Sequence, residues 1–265
     1  MAIPNYQTID EADLDRTVWR YLTFPKYISL LTYRALWFSK LNILIDQYEG
    51  SMPAIVDAEM LAEHQKWKSA FDPSLHEQFD NMNKRNVESG RELTVASCWF
   101  LADQESARMW NEYASGLEGL AIKSTIRSLS QYVFCDPRVS HIGKVQYVDL
   151  DKHPMSHYEA NQAHHRAFLK KIEFRHENEV RIVTMNFKGL MCVGMDGRPL
   201  TREDCEGAKM NNFENPGLYI QADLPMLIKG TVLSPGASLW FELLVKRIVQ
   251  LSKIGAPVER SALEK

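Results

Sequence analysis

Short β-prone runs and helical stretches follow one another along the 265 residues with no regular strand–helix–strand rhythm and no glycine-rich turn leading from a strand into a helix. That irregularity argues against a doubly wound parallel sheet of the nucleotide-binding kind. It predicts an α+β protein with a compact mixed or antiparallel sheet core and flanking helices. The predicted strands are residues 18–22, 35–39, 93–100, 119–122, 145–148, 180–183, 218–221 and 230–233. Between them, Thr23 and Pro25 signal a helix start. Asp103 is expected to cap a helix that places Met109, Trp110 and Tyr113 on one face, and residues 126–132 and 157–171 read as helical. A last amphipathic helix is expected over 238–252, with Leu239, Leu243, Val245, Ile248 and Leu251 toward the core. Residues 54–91 form a long polar stretch, read as a helical insertion or lid on a single domain spanning 1–265, after an acidic leader of residues 1–16. Residues 186–216 read as a long irregular binding loop.

With 45% hydrophobic residues the chain can build its core without disulfides or a structural metal. Cys98, Cys135, Cys192 and Cys205 are widely separated and form no CxxC pair, which fits reduced thiols and a cytoplasmic protein. The first residues carry no secretory pattern and no apolar run is long enough to span a bilayer, so no membrane association is expected. A formal net charge of −3 gives no strong nucleic-acid signal, though it leaves room for a local basic groove.

Several segments stand out in order: WRYLTFPKYISLL, ALWFSKL, DQYEG, SCWFLADQESARMWNEYASGLEGLAIK, KKIEFRHENEVRIV and LIKGTVLSPGAS. Together, over residues 17–261, they resemble the bacterial family catalogued as domain of unknown function 2971, which carries no function of its own. The most specific parts are the tryptophan-rich block from Ser97 to Tyr113 and the E-x-E-x-R of Glu177, Glu179 and Arg181. A more distant resemblance is to the ADP-ribosyltransferase superfamily, through Arg20 on an early strand, Ser39 or Ser97 on a later one, and Glu177 with Glu179.

What that second resemblance implies is an NAD-dependent ADP-ribosyltransferase-like or NAD-cleaving enzyme with a dinucleotide as ligand, an unknown acceptor and no metal. Glu179 would be the catalytic carboxylate, stabilising the oxocarbenium-like charge as a glycosidic C–N bond breaks. Glu177 would orient the acceptor, and Arg20 would anchor a phosphate or ribose. Ser39, Ser97, Trp110, Tyr113 and Arg181 would complete the cofactor site. Plainer readings stand beside each of these. On a strand, Glu177, Glu179 and Arg181 would share one face that is simply solvated. Trp110 and Tyr113 would be core residues, and Lys170, Lys171 and Arg175, which could receive a phosphate, would equally be a solvated helix end. His153 and His157, four apart, read as exposed residues of a polar helix rather than metal ligands, and Cys98 has no recognisable partner base. Two further functions remain open: a non-catalytic ligand- or protein-recognition module in a bacterial defence or toxin system, and a metal-dependent phosphate-directed enzyme using Asp46, Glu49 and Glu179.

Overall fold

Alternation along the strands builds the molecule around one large sheet. The computed structural model describes residues 3, 5–70, 72–77, 88–186 and 216–263. In chain order its main elements are β1 (Asn5–Gln7), β2 (Thr17–Thr23), α1 (Phe24–Tyr33), β3 (Ala35–Lys40), α2 (Ala54–Lys68), β4 (Thr94–Leu101), α3 (Ala107–Tyr113), β5 (Gly119–Thr125) and α4 (Ile126–Tyr132). They continue with β6 (Ser140–Lys144), β7 (Gln146–Val148), α5 (His157–Asn161), α6 (Ala163–Arg166), β8 (Leu169–Lys171), a 3-10 turn (Ile172–Glu177) and β9 (Glu179–Met185). After residue 216 come β10 (Gly217–Gln221), α7 (Leu224–Leu227), β11 (Gly230–Leu233), α8 (Leu239–Leu251) and β12 (Val258–Arg260).

The ten-stranded sheet runs β1-β6-β9-β4-β2-β5-β11-β12, antiparallel throughout except for its two terminal pairs, while β3 joins β4 and carries β10 on its other edge. The expected α+β class with a mixed, mostly antiparallel sheet and flanking helices is therefore observed. One face buries Val18, Leu22, Trp99, Ile122 and Ile182 against α1, α4, α7 and α8, and the other buries Trp19, Tyr21 and Ala121 against Met109 and Trp110 of α3. β7 and β8 form a separate parallel pair beside β9.

The edge of β4 is divided between two strands. β2 pairs with its far end (Val18 opposite Leu101, Trp19 opposite Phe100), and β3 pairs with its near end (Ser39 opposite Ala96, Lys40 opposite Val95). Ser97, Cys98 and Trp99 pair only with β9. The sheet thus forks at the middle of β4.

Several expectations change on the structure. The leader is part of the fold: β1 pairs with β6, and Ile3 is buried. The stretch 157–171 is two short helices followed by strand β8, because Leu169 and Lys170 are both drawn under the sheet rather than left at a helix end. His153 precedes α5, so it shares no helix with His157. In α8 the core side is Phe241, Val245 and Val249, while Leu239, Leu243 and Leu251 are exposed; Glu242, Lys246, Arg247 and Gln250 mark one polar side at helical spacing, and Leu239 and Leu243 fall within it. Ser106, not Asp103, caps α3. Of the proposed insertion, α2 lies mostly exposed with Val56 its one buried residue, and residues 78–87 lie outside the described part. Residues 187–215 of the expected binding loop, with Cys192 and Cys205, also lie outside it.

Candidate functional site

A cavity of about 670 Å³ opens where β2 and β3 part from β4. Its two ends carry opposite chemistry.

The acidic end is a buried ionic cluster assembled from four segments. Arg181, in the middle of β9, has no solvent exposure. Its guanidinium grips Glu49 through two N–H groups (Nη1 to Oε2 at 2.6 Å, Nη2 to Oε1 at 2.8 Å), reaches Glu179 Oε2 through Nε at 2.7 Å, and donates to the Ala167 carbonyl at 2.8 Å. Lys170 from β8 lies 2.8 Å from Glu179 Oε1 and 3.2 Å from Glu49 Oε1, and also pairs with Glu177. Tyr113 at the end of α3 donates its hydroxyl to Glu177 Oε1 at 2.7 Å. The Glu179 amide donates to Tyr147 Oη at 2.9 Å, fixing the start of the strand.

Glu49 reaches the cluster because its loop is clamped. Arg91 donates to the carbonyls of Gln47 (2.6 Å) and Glu49 (2.9 Å), and Arg166 donates to that of Gly50 at 3.0 Å. Gly50 itself has φ +70°, and a Cβ there would sit 2.6 Å from Leu41 Cδ1. The positive φ favours glycine, and any side chain there would also have to displace the end of Leu41.

Glu177 is not on the strand, as the E-x-E-x-R spacing suggested. It ends the 3-10 turn, and Asn178 follows in a left-handed conformation (φ 36°, ψ 58°) that starts β9 at Glu179. Both carboxylates still arrive at Lys170. The reading of a solvated charged face fails here: Glu177 and Glu179 are 4% and 6% exposed, so their charges need partners rather than water.

Three carboxylates against two cations leave one negative charge in excess. Burial, then contact with Glu179, pushes the Glu177 carboxyl up to about 7. Burial would raise Glu179 too, but Arg181, the hydrogen bond with Glu177 and Lys170 hold it well below its ordinary value. The surplus proton near neutrality therefore belongs to the pair and resides on the Glu177 side. Burial opposes the Lys170 ammonium, yet Glu179, Glu49 and Glu177 together raise it above its usual value. Cys98 lies opposite Arg181 on β4 and lines the cavity, but burial and the neighbouring Glu179 push its thiol up, so it is no thiolate nucleophile.

The other end is cationic. Arg20 of β2 spans the fork, donating through Nη1 to Ser97 Oγ and through Nη2 to the Trp37 carbonyl, both at 2.7 Å, with its guanidinium 5.7 Å from the Trp99 ring. Burial lowers its pKa to about 10, which leaves it charged at neutral pH. No carboxylate of the described residues pairs with it. Ser39 and Trp37 line the wall beside it, joined by a 3.0 Å bond from the Trp37 indole N–H.

Of the residues that the ADP-ribosyltransferase resemblance assigned, Arg20, Ser39, Tyr113, Glu177, Glu179 and Arg181 line this one cavity. Two others do not. Ser97 is fully buried behind Arg20, accepting also from Trp99 Nε1 at 3.1 Å, and positions the guanidinium instead of touching a ligand. Trp110 packs edge-on against Tyr21 with centroids 4.9 Å apart and donates to Glu105 at 2.7 Å, so it is core. Sequence reading missed Lys170 as a cluster member, and Trp37 and Tyr219 as cavity walls. Phe168 and Leu169, buried beside Lys170, were the available hint.

The arrangement disfavours a divalent cation between Glu49 and Glu179, since Arg181 and Lys170 already stand there. Asp46 turns Oδ1 to the Tyr48 amide at 2.9 Å, while its buried Oδ2 meets no partner. Glu112, His176 and Glu177 bring ligand-type atoms within 4.8 Å of one another, but the His176–Glu112 contact of 3.1 Å and the engagement of Glu177 by Tyr113 and Lys170 account for them as an ion-pair network. No helix of the described residues is long and apolar enough to cross a membrane. No family model, curated protein or solved structure matches the chain.

Proposed function

We propose that the cavity binds NAD and that the chain is an ADP-ribosyltransferase-like enzyme that breaks the dinucleotide's N-glycosidic bond. The observation that carries this reading is that a still charged Arg20, paired with no carboxylate of the described residues, and the Glu177–Glu179 pair line one cavity of nucleotide size. Arg20 suits a phosphate or ribose oxygen. When the C–N bond breaks, its electron pair leaves with nicotinamide and positive charge develops on the ribose. With Glu177 ionised, the excess negative charge of the acidic end stabilises that charge. The proton lost by the incoming water or acceptor hydroxyl is taken up at Glu177, whose carboxyl titrates near neutrality.

A second reading, a recognition module without turnover, is favoured by one feature. Both oxygens of Glu179 are already engaged by Arg181 and Lys170, as a purely structural carboxylate would be. Incubation with NAD at near-neutral pH, following nicotinamide by chromatography with and without cell lysate as acceptor source, separates the two. Release by the wild type and its loss in Glu177→Gln and Glu179→Gln is expected. Binding of NAD without release by the wild type would establish the recognition reading, and absence of both would refute the NAD proposal.

A further inference from the structure

The wall around the cationic end continues onto the surface as an aromatic strip. Tyr33, at the end of α1 and 54% exposed, stacks on Tyr219 of β10 with centroids 4.4 Å apart and planes 27° from parallel. Tyr219 meets Trp37, its register partner on β3, at 4.9 Å. Ser29 of α1 ties the strip down through a 2.6 Å bond to the Tyr219 hydroxyl. A cross-strand aromatic pair stabilises a sheet edge and explains Trp37 with Tyr219. It does not explain Tyr33, which belongs to a helix and leaves its ring in water.

Charge points the same way. In a chain of net charge −3, residues 17–45 contain Arg20, Lys26, Arg34 and Lys40 and no Asp or Glu, and β10 contains none either. Lys26 and Arg34 are exposed, and no carboxylate of the described residues pairs with them. Flat rings on the same elements as the exposed cations Lys26 and Arg34 are what a base followed by a phosphodiester requires, since stacking accepts any base and the cations track the backbone.

We propose that the strip formed by Tyr33, Tyr219 and Trp37, with Lys26 and Arg34 beside it, is a binding subsite for single-stranded nucleic acid leading to the cavity mouth. This inference does not depend on NAD chemistry. Its test is fluorescence anisotropy of a labelled single-stranded oligonucleotide of about ten nucleotides, titrated without NAD over a range of salt.

Saturable binding is expected, weakening as salt rises, with affinity reduced about tenfold by Tyr33→Ala. Arg34→Glu should weaken binding and lower the salt slope by about one. Tyr33→Leu gives the same readout should the alanine variant melt early. Equal affinity for a duplex of the same sequence, indifference to both substitutions, binding of a mononucleotide but no strand, or no binding at low salt would each overturn the proposal. Strand binding by a wild-type protein that neither binds nor cleaves NAD would count against the NAD reading alone.

Discussion

Arg181 holds a full charge with no access to water, and it can do so because Glu49 and Glu179 both hydrogen-bond to it. Removing one member of such a buried set leaves the others uncompensated, at a cost of about 3–5 kcal/mol. Arg181→Met is therefore expected to lose at least that much in urea denaturation, with Glu49 and Glu179 left facing each other across Lys170. The two glutamates differ in sign with pH. Glu177, pushed from the ordinary 4.5 up to about 7, keeps in the fold a proton that the unfolded chain has released, so its contribution to stability falls as pH rises across that window. Glu179, held down, contributes stability that is present above the ordinary carboxylate value and is lost as pH falls through its folded value. Melting of Glu177→Gln against wild type should thus improve for the variant from about pH 5 to pH 8. A difference independent of pH would mean that Glu177 is ionised throughout. The E-x-E-x-R spacing showed these side chains as candidates in sequence. It could not show that their charges were buried, because Lys170 and Glu49, which make burial tolerable, come from other segments of the chain, and Lys170 reads in sequence as a solvated helix end.

Among the elements, the loop ending at Gly50 and helix α8 are the most informative. Gly50→Ala combines a left-handed backbone with a Cβ against Leu41, and should destabilise by about 1 kcal/mol or more while displacing Glu49 from Arg181. Thermal denaturation checks the first effect. On α8, Phe241→Ala should cost about 3–5 kcal/mol, whereas Leu243→Ala, on the 58% exposed side chain, should cost little. Equal costs would contradict the observed orientation of the helix. The strands at β4, β9 and β11 were legible because their apolar runs are short and bounded, and all three are buried on both faces. β1, β8 and β12 were not, since three-residue strands carry no period of their own and exist only through their partners. The face of α8 was legible from its polar residues rather than its leucines, since Glu242, Lys246, Arg247 and Gln250 share one side and Leu239 and Leu243 lie among them.

At the scale of the whole molecule, the fork in the sheet decides what the protein can do. Had β2 and β3 paired continuously with β4, the middle of β4 would be closed and Arg20 would lie inside a continuous core. Their separation instead opens a cavity with a cation at one end and a surplus carboxylate charge at the other. No local pattern in the sequence encodes this, because the fork depends on β2 and β3 sharing one edge of β4, a strand far along the chain from both. Calorimetric titration of NAD into wild type and Arg20→Lys, with melting curves confirming that the variant folds, tests this most directly. Saturable one-to-one binding, weakened at least tenfold when the two-pronged guanidinium becomes a single ammonium, is the expected result. No heat with the wild type, or equal affinity for both proteins, would contradict it.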